Sequence, residues 1–472
     1  MDRALGEALE RGLRAHHRRR LGKIGWERVF DPRHGTALGN YQVRDGNDLR
    51  VFIDGEDSFN AIAAGVRGAR SHVHLAGWHM EAEFVLIAEP DEVTLRELLA
   101  EAGSSAEVRV LVWGGAPLPP PFRPRRREAN VLREQLDGLS GVTVALDSKE
   151  RLLHCHHEKI VVIDDEVAFV GGLDFSTIGA SRLDGSDHPP REPMGWHDAT
   201  VELRGPIVAD VADHFGMRWR EVTGQPLSKA VAGPAGEVAA QIVRTVPEKV
   251  YGSLPNGEFG ILEAYVKALQ DAKEFIYLEN QFLWSSEIVK LLAQKLSDPP
   301  SDDFRLLVLL PSRPATGKDD TLGQLAVLAE ADRDNRFLAC TLYGRDDGRA
   351  VPVYVHAKVG IVDDEWLTIG SGNLNNHSLF NDTEMNVVVR DEALARDTRL
   401  RLWAEHLEVS KGKLEDLTPT SAIDELWGPI ARDQQERRAA GRPLTHRVAR
   451  LPNVSKRAKR LLGPLQTFLV DG

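Results

Sequence analysis

Cysteine is nearly absent from this chain: 472 residues contain two, Cys155 and Cys340. That excludes a disulfide framework, and Cys155, close to His157, is expected to be a buried apolar thiol rather than a nucleophile. No run of about 18 apolar residues occurs, so no segment is expected to span a bilayer. The stretch from Met1 to Arg20 is charged throughout and has no apolar stretch of the secretory kind. The expected location is cytoplasmic or peripheral to a membrane, with signal-independent export left open. An excess of positive charge is also missing. The chain has 59 Lys and Arg against 71 Asp and Glu, net −12, which argues against broad coating of nucleic acid but leaves room for a local basic groove. Few aromatics suited to base stacking lie near the motifs described below. Finally, no compact His/Cys/carboxylate cluster has metal-ligand spacing, so neither a metal nor another cofactor is expected.

What the chain does have is one short signature, twice. His157-Glu158-Lys159 is followed by Asp164, and His356-Ala357-Lys358 by Asp363, so both read H-x-K-x4-D. At the same offset beyond each histidine comes a turn of small residues, Gly171-Gly172-Leu173-Asp174 and Gly370-Ser371-Gly372-Asn373. A lone H-x-K-x4-D is weak, but two in register, each with its turn, point to an enzyme.

The surroundings repeat as well. A helix from Phe59 to Arg70 precedes the strand-like Ser71 to Trp78, as one from Gly260 to Ala272 precedes Phe275 to Gln281. Val108 to Trp113 corresponds to Leu306 to Pro311. Helices close both halves: Pro206 to Val222, with Phe215 and Trp219, and Glu392 to Leu407, with Leu402 and Trp403, aromatics expected in the core. Strands alternating with helices imply an α/β fold with a largely buried sheet. Gly224 to Gly236 reads as a linker, so residues 1–230 form a first half, 231–415 a second, and 416–472 a basic tail. Pro117 to Arg127 and Asp184 to Pro193 read as loops.

Both signatures have strand composition. On a strand, residues i and i+2 share a face roughly 6.6 Å apart, so each histidine and its lysine are expected to meet one phosphate. Asp164 and Asp363 fall on the opposite face, in hairpin turns, and are assigned structural roles. The returning strand brings Gly171, Gly172, Gly370 and Gly372 beside the histidine, where a missing side chain permits close approach of a ligand. Asn373 can donate to a phosphate oxygen. Asp174, an acceptor, is better suited to orienting Lys159 or Lys358. A histidine acting as nucleophile or acid needs its other ring nitrogen held. Asp198 and Glu384, each just before a later strand, are assigned that task. Gly172, Ser371, Glu279 and Gln281 join Asn373 and Asp174 as candidate substrate-binding positions. His72, His79, His154, His156 and His197 are read as packing or hydrogen-bonding residues.

These residues resemble the phospholipase D superfamily, whose members carry duplicated H-x-K-x4-D motifs, and the eukaryotic-type phospholipases D in particular. The likeness runs from about Val51 to Leu407. It includes His156 to Asp165, Tyr277-Leu278-Glu279-Asn280-Gln281-Phe282 and Trp196-His197-Asp198. It implies two pseudo-symmetric α-β-α sandwich domains with the active site at their interface. It further implies a two-step reaction through a phosphohistidine: His157 as nucleophile, His356 as general acid and then base, Lys159 and Lys358 neutralising the phosphoryl oxygens. The implied activity is hydrolysis of a phospholipid headgroup, with phosphatidic acid as product, or transfer of the phosphatidyl group to an alcohol. A phosphatidyltransferase of cardiolipin-synthase type, or a nuclease on the same scaffold, are the alternatives. The implied partner is a phospholipid, met by peripheral membrane contact, with no nucleic acid and with the monomer as active form.

Overall fold

The computed structural model describes residues 2–32, 39–88, 90–116, 124–151, 154–177, 184–192, 194–312, 318–346 and 348–451. Part of the Pro117 to Arg127 loop, Pro193, and the end of the basic tail lie outside the described residues.

Each half builds the same seven-stranded order. In the first it runs Val142–Asp147, Glu107–Trp113, His72–Gly77, Lys159–Ile163, Val167–Gly171, Ala199–Arg204 and Arg44–Ile53. In the second it runs Phe337–Asp346, Arg305–Leu309, Phe275–Glu279, Val359–Val362, Trp366–Gly370, Glu384–Val389 and Val238–Val246. In both, the first three strands are mutually parallel and the rest antiparallel. The parallel strands need crossover helices, supplied by Leu95–Ala102 and Arg126–Leu136 in the first half and by Ser286–Ser297 and Lys318–Ala331 in the second. Pairing of Arg44 with Ala240 and of Asn47 with Val238 joins the two sheets at their last strands.

The central strands are buried on both faces, so they read as continuous apolar runs. On Lys159–Ile163, Ile160 and Val162 enter a core shared by both halves, together with Val51, Val201, Ile361, Leu367, Ile369 and Val387. Val161 and Ile163 point outward to Phe59 and Val73 under the first half's own helices. Phe215 and Trp219 on Val208–Thr223, and Leu402 and Trp403 on Glu392–Leu407, are buried in the shared core.

Two boundaries differ from those the composition suggested. The N-terminal helix Asp2–Lys23 and the turn after it pack on the second half. Arg18 pairs with Glu287 at 2.7 Å, His17 stacks on Phe380, and Trp26 meets Phe259. The supposed tail is folded as far as Leu451. Trp427 is fully buried beside Trp403, and Val448–Arg450 adds an antiparallel strand to Phe337–Asp346. Most of the charged residues described in both segments sit on outward faces, which hid their apolar anchors.

Candidate active site

The two halves meet through their signatures. Neither histidine lies inside a strand: the first signature strand begins at Lys159 and the second at Val359. The expectation that each histidine and lysine share a strand face therefore gives way to a different local structure. The N–H groups of His157 and Glu158 donate to the Thr383 carbonyl, at 2.8 and 3.1 Å. Those of His356 and Ala357 donate to the His197 carbonyl, at 2.8 and 3.0 Å. Each signature is thus tied to the chain just ahead of the other half's late strand. Strand pairing within its own sheet starts only afterwards.

That docking sets the side chains. His157 Nδ1 lies 3.0 and 3.1 Å from the two carboxylate oxygens of Glu384. His356 Nδ1 lies 2.6 Å from Asp198 Oδ2. The two acids therefore reach the two histidines in a crossed arrangement, each orienting an imidazole of the opposite half. With Nδ1–H of His157 given to the carboxylate, its Nε2 is the ring nitrogen left for chemistry. Nε2 of His157 has no hydrogen-bond partner among the described residues. Aromatic walls stand beside both rings: Trp78 edge-on to His157 at 6.0 Å, and Trp196 against His356 at 4.1 Å between centroids.

The lysines fold back onto their own signatures. Lys159 Nζ donates to the His157 carbonyl, pairs with Asp174 at 3.2 Å and lies 5.8 Å from the Trp78 ring centre. Lys358 Nζ donates to the His356 carbonyl and to Gln281 Oε1, the latter at 3.4 Å. The same Gln281 oxygen accepts from Asn373 Nδ2 at 3.3 Å, and Gln281 Nε2 donates to the Tyr354 hydroxyl. Gln281 and Asn373 therefore belong to the site, around Lys358.

Four candidate substrate contacts turn out to support other side chains instead. Asp174 spends one oxygen on the backbone N–H groups of Trp78 and His79 and the other on Lys159. The Ser371 hydroxyl donates to Glu384 and accepts from the Met385 N–H, so it fixes the acid rather than a phosphate. A Cβ at Gly172 would lie 2.2 Å from Asp198 Oδ1, so this glycine makes room for the carboxylate. Glu279 does not reach the rim. Fully buried, it accepts from His197 Nε2 and His406 Nε2, both at 2.9 Å, and from the Tyr277 hydroxyl, behind His356.

The motif aspartates sit in the hairpin turns at positive φ, +54° for both Asp164 and Asp363. Asp164 accepts the backbone N–H groups of Arg70, Ser71 and His72 at 2.8–2.9 Å. Asp363 does the same for Lys273, Glu274 and Phe275 at 2.7–2.8 Å. Each clamps the turn between a helix and the strand beside the signature. Burial works against the Asp164 carboxylate, and these N–H donors outweigh it, holding the carboxyl below its usual range.

No pattern along the chain signals the support behind His157. Glu158, the middle residue of the first signature, is buried against Arg218 and His214, and Arg218 also pairs with Asp147 at 2.8 Å. Burial alone would raise the Glu158 carboxyl. The adjacent Arg218 charge and the His214 hydrogen bond overcome that and bring it down to about 2.

The chain is similar to known proteins. Residues 265–403 match the family described as "Cardiolipin synthase, PLD-like domain". The chain is 25% identical to "Phospholipase D A" of Dictyostelium discoideum over 78% of its own length and 36% of that protein, so it spans about a third of that relative. It is 27% identical to "Cardiolipin synthase A" of Pseudomonas aeruginosa (strain LESB58), covering 82% of this chain and 72% of the other. Among solved structures, a phosphatidylserine synthase of Haemophilus influenzae Rd KW20 shares the fold, with a TM-score of 0.53 over 89% of this chain and 97% of that one at 11% identity.

Proposed function

The chain belongs to the phospholipase D superfamily, and we propose that it opens the phosphodiester of a phospholipid headgroup through a phosphohistidine. Passed to water, the phosphatidyl group leaves as phosphatidic acid; passed to an alcohol, as a phosphatidyl alcohol. The observation that carries this reading is the crossed pair of dyads, His157–Glu384 and His356–Asp198. Two oriented imidazoles on one interface supply a nucleophile and a proton donor, which double displacement at phosphorus requires.

In the first step Nε2 of neutral His157 attacks phosphorus, the bond from phosphorus to the headgroup oxygen breaks, and protonated His356 gives its Nε2 proton to the departing alcohol. In the second, His356 takes a proton from water or the acceptor alcohol, the new oxygen attacks phosphorus, and the P–N bond to His157 breaks. Lys159 and Lys358 offset the charge on the non-bridging oxygens, and Asn373 adds a donor beside Lys358. Glu384 and Asp198 hold the imidazole tautomers and stabilise each imidazolium as it forms.

A lipid acceptor is the second reading, favoured by the match of the second half to a cardiolipin-synthase family. Here the attacking hydroxyl belongs to another phospholipid, with the chain acting at the membrane surface. Among the described residues no helix is long and apolar enough to cross a membrane.

The test is incubation with mixed phospholipid vesicles and a short primary alcohol. Phosphatidyl alcohol should form with the wild type and not with Lys358→Ala. Cardiolipin formed from phosphatidylglycerol alone would favour the lipid acceptor. Cleavage of single-stranded DNA without lipid turnover would overturn the proposal.

A further inference from the structure

Behind His356 lies a second cluster of reactive side chains that phosphoryl transfer does not use. Asp54 stands ahead of the helix Gly55–Arg67, His188 in the loop after Asp184, His197 in the short strand Trp196–His197, and Glu405 on the helix Glu392–Leu407. Asp54, His188 and His197 are wholly buried, and the Glu405 side chain is 7% exposed. Five of their atoms form a ring, closed through the two oxygens of Asp54. His188 Nε2 lies 3.2 Å from Asp54 Oδ2 and 3.2 Å from Glu405 Oε1, and His197 Nδ1 lies 2.8 Å from Asp54 Oδ1 and 3.5 Å from Glu405 Oε1.

Two observations separate this cluster from an ordinary salt-bridge network. The first is the use of the remaining ring nitrogens. His197 Nε2 meets the Glu279 carboxylate at 2.9 Å, and His188 Nδ1 faces Asp184, itself held by Arg191, at 3.6 Å. A histidine bound to a metal through one nitrogen characteristically gives its other N–H to a carboxylate, and His197 is arranged that way, while His188 Nδ1 is buried beside Asp184 without a hydrogen bond. The second is Asp54 Oδ2. It is buried and, although 3.2 Å from His188 Nε2, makes no aligned hydrogen bond with it, because His188 Nε2 is directed to Glu405 Oε1.

We propose that Asp54, His188, His197 and Glu405 bind one divalent cation of the zinc class. Two imidazole nitrogens and two carboxylate oxygens are borderline ligands suited to that class. Bonds of about 2.0–2.1 Å around a tetrahedral ion set its ligand atoms about 3.3 Å apart; the imidazole-to-carboxylate separations here run from 2.8 to 3.5 Å, and one ligand atom from each of the four residues lies within 4.8 Å of the others. Four protein ligands in a buried setting leave no position open for substrate, so the ion is structural. It ties the loop around His188 and the first half's Asp54 to a helix of the second half. It also fixes His197, whose carbonyl accepts the His356 N–H and whose neighbour Asp198 orients the His356 ring. The ion therefore acts on the reaction only by positioning.

The test uses the full chain produced in zinc-supplemented medium and dialysed extensively, with metal content measured by mass spectrometry. The wild type should retain about one zinc per chain, and Glu405→Gln and His188→Gln each less than about a tenth of that. His154→Gln, in a separate cluster, should keep it. Removal of zinc by a strong chelator should lower Tm, and re-addition restore it. A cobalt-substituted sample should show the intense visible bands of a four-coordinate ion. Wild-type protein that holds no zinc after these treatments, with Tm unmoved by chelator, would overturn the proposal. So would zinc retained in full by both variants. None of these readouts depends on the substrate, so the result stands apart from the assignment of activity.

Discussion

Glu384, from the second half of the chain, holds Nδ1 of His157, from the first, at 3.0 Å. Asp198 returns the arrangement to His356. Neither half contains a working dyad; each is completed by the other.

Crossing gives the two acids separable effects. Glu384→Gln and Asp198→Asn should each lower kcat by about 10³–10⁴-fold, the scale seen when a carboxylate that fixes an imidazole tautomer is neutralised. The two should part company on a phosphatidyl ester of p-nitrophenol, which leaves without a proton. Asp198→Asn should then recover the initial burst of nitrophenol, while Glu384→Gln should not. Equal recovery in both would contradict the assignment of roles.

Asp164 and Asp363 should behave as stability residues. Asp164→Asn leaves backbone N–H donors poorly satisfied and should cost about 1–3 kcal/mol in denaturant unfolding, with kcat close to wild type at a temperature where the variant is folded. A fully folded Asp164→Asn protein that had lost a chemical step would contradict this.

The Glu158 carboxyl titrates near 2 in the folded chain against an ordinary value of 4.5. The folded state therefore gains stability from the ionised form that is complete above about pH 4.5 and disappears as pH falls toward 2, on the order of 3 kcal/mol. The destabilisation caused by Glu158→Gln should be largest near neutrality and shrink at pH 3. A difference in unfolding free energy that stays constant with pH would show that the Arg218 pairing does not depress this group.

Much of this was legible in the chain itself, because duplication turns weak motifs into aligned ones. The two His/Lys pairs, the acids ahead of Ala199–Arg204 and within Glu384–Val389, and the α/β alternation all repeat in order. Which acid serves which histidine was not legible, since the contact joins residues on opposite halves and no local pattern encodes it. Gly172 and Ser371 were read as ligand contacts because small residues beside a histidine invite that reading; their actual neighbours are Asp198 and Glu384. The cluster of Asp54, His188, His197 and Glu405 escaped notice for a related reason: its members are scattered along the chain, and Glu405 joins the other three only where the halves meet. The N-terminal helix and the segment around Trp427 were misplaced because their charge is conspicuous and their few apolar anchors are not.

The most direct test of the central claim is to trap the covalent intermediate. Phosphatidyl p-nitrophenol labelled at phosphorus is mixed with enzyme and quenched in alkaline denaturant, where a P–N bond survives. His356→Ala, able to form the intermediate from this substrate but slow to discharge it, should retain label on the protein, and His157→Ala should retain none. Label on His157→Ala, or on no protein while the wild type turns over, would contradict the account.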